Sequence, residues 1–249
     1  VCRSCSLIEI SYAEQLLQKD GRLHEILAPF HVDEWLLPTS GSVTGFRNKA
    51  KMVASPGVEG VVLGLTDAVS LIGCPLYDAA MQRVLEQTQA WLRDIGVKAY
   101  NVKHKRGELK YVLLTRSTHD GSMMLRFVLR SHGIIARLQS ALPTLLNRAA
   151  ELKLVSVNIQ PVHMAILEGE EEIFLTQQTR LEERFNNVPL FIRPKSFFQT
   201  NPEVAAKLYS TAAEWVNKTK ATRIMDLFCG VGGFALHIAT NERSVTGIE

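Results

Sequence analysis

The sequence predicts an α+β domain followed by the opening of a parallel α/β sheet. Three observations carry that expectation. Between about Thr39 and Phe174, short apolar runs are separated by turn residues, and several alternate apolar with polar positions, the period of half-buried antiparallel strands. Two stretches inside that region, Tyr77 to Ile95 and Ile134 to Leu152, place their apolar residues at helical spacing instead. Near Arg184 the texture changes, and the run from Ala221 to Glu249 reads strand, glycine-rich turn, helix, strand.

Taken in order, the expected strands are GFRNKAKMVAS, EGVVLGL, LKYVLLTRS, MMLRFVLRS, KLVSVNIQ and HMAILEG. The first helix is carried by Met81, Val84, Leu85, Trp91 and Leu92; the second tolerates Pro143. After Arg184 a strand and a turn lead to a helix that opens at Asn201 with Pro202 in its first turn. The expected division is therefore 1–183 for a cysteine-bearing α+β domain and 184–249 for the first part of an α/β domain. A parallel pair ending on Glu249 is expected to continue into more sheet, because such sheets need helices on both faces.

Composition narrows the classes. Of the 249 residues, 46% are hydrophobic and 21% charged, as in an ordinary globular protein. With neither a long apolar run nor a signal-peptide pattern, a cytoplasmic chain without membrane contact is expected, and a monomer. The net charge of +3 is too small to announce a nucleic-acid partner, but its distribution is uneven. Lys98, Lys103, His104, Lys105, Arg106, Lys110, Arg116, Arg126 and Arg130 crowd one stretch, opposed within it only by Glu108 and Asp120. A solvated basic face is the plain reading; an RNA-facing hairpin tip at Lys105 and Arg106 is the functional one.

Cys2-Arg-Ser-Cys5 is a C-x-x-C, and Cys74 precedes a proline. Zinc half-site, redox dithiol, cluster ligation and chance all remain open on spacing, although no second C-x-x-C completes a zinc site. Asp226-Leu-Phe-Cys-Gly-Val-Gly-Gly233 follows an expected strand and opens an expected helix. Gly230 and Gly232 permit close approach of a ligand to the backbone, while Asp226 stands before the turn and Glu249 lies about 20 residues on, where an acid can meet ribose hydroxyls. The spacing Gly230-x-Gly232-Gly233 differs from the dinucleotide fingerprint and favours an S-adenosylmethionine pocket.

DLFCGVGGFAL resembles motif I of the C5-pyrimidine methyltransferases, and Ile192-Arg-Pro-Lys-Ser-Phe-Phe-Gln-Thr-Asn-Pro202 is similar to the segment preceding it in RNA uracil-5 methyltransferases. With GFRNKAKMV, KRGELKYVLLT, MMLRFVLRS and NIQPVHMAI, the resemblance runs through the whole chain and points to the bacterial 23S rRNA group, in its shorter subtype without an N-terminal barrel. It implies an iron–sulfur and RNA-binding α+β domain followed by the start of a Rossmann-like S-adenosylmethionine domain. Gln199, Phe228 and Glu249 are then expected on the cofactor. Cys2, Cys5 and Cys74 are expected on a [4Fe–4S] cluster whose fourth cysteine, normally a few residues earlier, is missing here. Phe46, Arg47, Asn48 and Lys49, with Lys51, match a motif recurrent in the family. Phe suits stacking on an unpaired base, Arg and Lys suit phosphates, and Asn a base edge; an ordinary exposed strand with a buried Phe is the competing reading.

The implied reaction is methylation of C5 of one uracil of 23S rRNA, uracil 747 for this subtype. Its nucleophilic cysteine and basic glutamate are expected beyond residue 249, and Cys229, inside the cofactor turn, is rejected as nucleophile. The incomplete chain is therefore expected to be inactive by itself. Action on tRNA uracil or DNA cytosine, and a non-catalytic iron–sulfur RNA-binding protein, stand as alternatives.

Overall fold

In the computed structural model, which describes residue 2, residues 4–162 and residues 167–249, the chain is built on one six-stranded sheet. Its strands are β1 (Lys49–Gly57), β2 (Gly60–Gly64), β3 (Leu109–Arg116), β4 (Met123–Leu129), β5 (Leu152–Ile159) and β6 (Glu171–Phe174), in the order β2-β1-β3-β4-β5-β6. Helix α2 (Ala79–Asp94) starts where Asp78 caps the Met81 N–H at 2.8 Å, and α3 (Ile135–Arg148) connects β4 to β5. Both helices lie on one face. Met81, Leu85, Trp91, Leu138 and Leu142 pack there against Met52, Leu114, Leu125, Phe127 and Val157 in one buried core.

The structure corrects the expectation of purely antiparallel strands. β4 and β5 pair in parallel, from Met123 opposite Leu152 to Leu129 opposite Ile159, because α3 returns the chain to the starting end of the sheet. A helix absent from the expected set also forms: α1 (Tyr12–Leu27), capped by Ser11 at the Glu14 N–H. The Ser11-x-x-Glu14 pattern is a capping-box signal that the apolar periodicity did not reveal. The expected strand HMAILEG falls mostly on residues 163–166, which lie outside the described residues.

The stretch expected as a single strand after Arg184 is a hairpin, β7 (Leu181–Phe185) and β8 (Val188–Ile192), turned by Asn186 and Asn187 at positive φ. It crosses the 183/184 point and packs on the other face of the large sheet. There Met124 and Leu154 join Leu181, Phe185, Leu190, Ile192 and Phe198 in a second core, with Ala205 and Tyr209 from α4 (Pro202–Lys218). β9 (Arg223–Leu227), α5 (Gly233–Ile238) and β10 (Ser244–Ile248) follow, with β9 and β10 parallel as expected.

Alternation along β4 forces a charge inward. Leu125 and Phe127 face the helices, so Arg126 faces the other side, where its side chain is only 2% exposed. Its Nε donates to Glu172 Oε1 and Oε2 at 2.9 and 3.0 Å, and Glu172 also accepts from Ser156 and Asn158. Arg126 Nη1 lies 3.0 Å from Glu168, off the hydrogen-bonding direction. Lys110 is likewise buried, its Nζ donating to the carbonyls of Gln160 and Val162 at 2.7 and 2.6 Å. Breaking a buried pair costs more than the pair contributes, because the surviving charge is stranded. Glu172→Ala is therefore expected to lose about 3 kcal/mol in urea denaturation, and Arg126→Met with Glu172→Leu to recover most of it.

Candidate cofactor turn and cysteine cavity

The glycine turn takes the shape its residues demand. Gly230 and Gly232 have φ of +55° and +81°, and Phe228 has φ +60°, an unusual conformation for a bulky residue. Phe228 is also 91% exposed, so a large aromatic ring is held uncovered on a strained backbone. Asp226 Oδ2 accepts the Ala235 N–H at 3.0 Å, tying the strand end to α5. Glu249 Oε2 accepts the Gly230 N–H at 2.6 Å, so both expected acids are in contact with the turn or the helix it opens. A Cβ on Gly233 would sit 2.5 Å from the Tyr209 hydroxyl; this glycine lets α5 close on α4. Burial, then the nearby Asp226 carboxylate, raises the Tyr209 phenol above its ordinary value. Cys229 is half-buried, its Sγ 2.8 Å from where a Cβ on Gly247 would stand.

Gln199 lies in the loop before α4 and is exposed. The loop and the turn share one core: Phe198 is buried in it, and Val231 of the turn packs against the same cluster. Phe198 in turn stacks on Phe185 at 5.3 Å, and Asn201 caps α4 through the Val204 N–H at 3.2 Å. Sequence reasoning missed Phe197, which stands 71% exposed beside Gln199 while its neighbour Phe198 is buried. The signal was in the doublet: with Phe198 spent on the core, Phe197 has to face out.

Cys2, Cys5 and Cys74 line one cavity of about 950 Å³, with Pro75, Ser70 and Ile8. Among the described residues no three His, Cys, Asp or Glu side chains converge as a single-ion site would require. Thiols are the donors an iron–sulfur cluster takes, and three of them line this one cavity. The Ser4 hydroxyl and backbone N–H hold the Cys2 thiol below its ordinary value. Burial raises the Tyr77 phenol above its ordinary value; Arg47 opposes the rise, and Cys74, Cys2 and Cys5 add to it.

The FRNK residues divide. Phe46 lines a second cavity with Cys5, Tyr12 and Asn201, so it faces the N-terminal segment, while Asn48 is buried. Arg47 is partly exposed and its Nε donates to the Lys49 carbonyl at 3.1 Å. Burial lowers Lys49, with Glu168 raising it and Arg126 lowering it. Lys105 and Arg106 are exposed at the tip of a turn closed by the Asn101–Arg106 bridge, where Lys105 has φ +52°. The basic stretch is not one solvated face: Lys110 and Arg126 point inward, Arg116 pairs with Asp78 at 3.0 Å, and Arg130 with Glu108 at 2.7 Å.

Glu203 fastens the 40–42 segment to α4. It accepts from the Ser42 N–H and hydroxyl at 2.8 and 2.9 Å and from Lys207 at 2.9 Å, and Lys207 also donates to the Ser40 carbonyl at 2.8 Å. Lys207 first, then the two Ser42 donors, lower the Glu203 carboxyl from 4.5 to about 2. A depressed folded-state value means that this contact is fully present above 4.5 and is lost as pH falls through about 2. Carboxyl NMR titration should place the Glu203 midpoint near 2, and Lys207→Ala should move it up toward 4.5.

No protein-family model matches the chain. A 23S rRNA (uracil(747)-C(5))-methyltransferase RlmC of Shewanella sp. (strain ANA-3) is 55% identical over 256 residues, covering 100% of this chain and 66% of the relative. The proteins of that name from Vibrio cholerae and Escherichia coli O139:H28 are 52% and 54% identical, with 67% of each covered. The chain thus spans about two-thirds of the length of these relatives. Among solved structures, a Pyrococcus abyssi tRNA (uracil-54, C5)-methyltransferase in complex with S-adenosyl-L-homocysteine superposes with a TM-score of 0.80 at 24% identity, over 99% of this chain and 58% of that one. That likeness is one of fold, whereas the first three extend along the sequence: the chain belongs to the family of 23S rRNA (uracil-C(5))-methyltransferases.

Proposed function

We propose that this chain supplies the RNA-engaging part and the first cofactor-binding elements of an enzyme that methylates C5 of one uracil in 23S rRNA, uracil 747 by its relatives' names. The observation that carries the reading is a left-handed glycine turn with Phe228 uncovered and Asp226 and Glu249 at its ends, its Val231 packed on the same core as Phe198, next to Gln199 in the chain. S-adenosylmethionine, when bound, supplies an electrophilic methyl group on a sulfonium. Gln199, Phe228, Asp226, Gly230, Gly232 and Glu249 are the residues that would hold it. Phe228 offers its ring face, the glycines allow backbone approach, and the carboxylates accept from hydroxyls. Phe228→Ala is expected to weaken cofactor binding about tenfold, the size of one lost aromatic contact, as measured by calorimetry.

C5 of uracil is a poor nucleophile until a thiolate adds at C6, and a base must then take the C5 proton. Neither role is assigned to a residue of this chain. The target base has to leave its stack to be reached, which favours a loop as substrate and a cytoplasmic, ribosomal setting. Arg47, Lys49, Lys105 and Arg106 suit phosphates, with Phe46 and Asn48 placed behind them. The division into an iron–sulfur and RNA-binding part, 1–183, and a methyltransferase part, 184–249, is part of the same reading, as is a [4Fe–4S] cluster on Cys2, Cys5 and Cys74.

Charge reversal of Lys105 and Arg106 together should weaken RNA binding and shallow its salt dependence by about two counterions. Unchanged binding and slope would remove the turn from the interface. The reading as a whole is tested with the complete natural protein, labelled S-adenosylmethionine and unmodified 23S rRNA, mapping the product by mass spectrometry. A methyl group on C5 of a single loop uracil is expected. Transfer to tRNA or DNA instead would overturn the substrate, and no transfer would overturn the enzymatic reading.

A further inference from the structure

Residues 45–48 lie between the cysteine cavity and the loop that carries Gln199, and their backbone is bonded to both. On one edge the Gly45 N–H donates to the Pro75 carbonyl at 2.8 Å and the Arg47 N–H to the Leu76 carbonyl at 2.9 Å. The next residue bonds the other way, the Asn48 N–H donating to the Thr200 carbonyl at 3.1 Å. Thr200 directly follows Gln199, and Pro75 and Leu76 directly follow Cys74.

Both ends are fixed to firmer structure. The Cys74 carbonyl accepts from the Tyr77 N–H at 3.1 Å and from Gln82 Nε2 at 3.3 Å, which seats the cysteine loop on the start of α2. Behind the segment, the Arg116 N–H donates to the Asn48 carbonyl at 2.8 Å, so β3 holds its position. A second route runs in parallel, since Glu203 and Lys207, just after the Gln199 loop, grip Ser40 and Ser42 on the approach to Gly45. Asn48 itself is buried, and its side-chain Nδ2 finds no hydrogen-bond partner among the described residues. A short extended segment bonded along both edges does not yield on one side alone. A shift of the Cys74 loop pulls on Gly45 and Arg47, and the Asn48–Thr200 bond is the next main-chain link in that direction.

We propose that residues 45–48 couple the cysteine cavity to the cofactor loop, so that gain or loss of the group held by Cys2, Cys5 and Cys74 changes affinity for the adenosyl cofactor. The coupling rests on the S-adenosylmethionine reading above. It requires no electron transfer, only two arrangements of the Cys74 loop that the cofactor distinguishes.

Calorimetric binding of S-adenosylhomocysteine to the complete natural protein tests it. Cys74→Ser is expected to weaken binding about fivefold or more, the lower end of measured couplings between sites. Asn48→Pro, which deletes the N–H to Thr200, is expected to abolish any further effect of Cys74→Ser. Equal affinity of the wild-type and Cys74→Ser proteins overturns the coupling and leaves the cofactor reading intact; no binding by the wild-type protein removes both. Should Cys74→Ser not fold, amide exchange gives the same test in the unsubstituted protein, before and after its iron is stripped with a chelator. Faster exchange at the Asn48 amide and across 196–201 is expected after stripping, and identical exchange overturns the proposal.

Discussion

The buried guanidinium of Arg126 is the constraint around which the large sheet is arranged. Strand alternation fixes that a residue between Leu125 and Phe127 faces away from α2 and α3. Once there, the charge has to be met, and the structure meets it with the Glu172 carboxylate on β6, steadied by Ser156 and Asn158 of β5. β6 is thereby tied to β4 by side chains reaching across β5, in addition to the ladders that join each neighbouring pair. The network also reaches the start of β1, where burial lowers the Lys49 ammonium, Glu168 opposes that shift and Arg126 adds to it. The far end of this face is apolar instead, Met124 and Leu154, and there the second core begins. One sheet surface thus serves a polar purpose and an apolar one, and the boundary between them is where the cofactor-side elements attach.

The sequence made some of this legible and concealed the rest for identifiable reasons. α2 was legible from the spacing of Met81, Val84, Leu85, Trp91 and Leu92, and Asn201 announces α4 because a cap is a local event, decided within four residues. The turn from Asp226 to Gly233 was readable for the same reason, since three glycines dictate their own backbone. The parallel pairing of β4 with β5 was not readable. It depends on where α3 delivers the chain, and the alternation of apolar residues is the same for either direction. Lys110 and Arg126 looked like members of a basic face because sequence shows the parity of a strand position but not what covers it. Their partners come from Gln160, Val162 and Glu172, far along the chain. Phe46 was expected to offer a stacking surface, and the structure sets it in a cavity beside Cys5, a placement that only the path of the N-terminal segment decides.

The cofactor side and the cysteine side differ in how firmly they are made. The turn is over-determined: Asp226 and Glu249 accept from backbone N–H groups of the turn and its helix, Gly230 and Gly232 hold positive φ, and Gly233 leaves no room for a Cβ beside Tyr209. The cysteine cavity draws two of its sulfurs from a segment with few attachments and one from a loop anchored to α2. An assembly in which one wall is rigid and the other is loosely attached takes its final shape from whatever bridges the two.

That asymmetry gives α1 a particular character. None of its sixteen residues is buried, and Leu17, Leu23 and Ile26 face solvent. A helix of that length with Gly21 inside it is marginal in water when no tertiary burial supports it. Its order therefore rests on hydrogen bonds: the Ser11 cap, Gln15 reaching the Leu7 and Ile10 carbonyls, and, from farther along the chain, the Gly41 N–H donating to the Tyr12 hydroxyl. In the language of hydrogen exchange it is a sub-global unfolding unit, opening at a cost far below that of the sheet. The segment bearing Cys2 and Cys5 then has an entropic reserve, a set of open states from which its thiols can be reached before the core gives way.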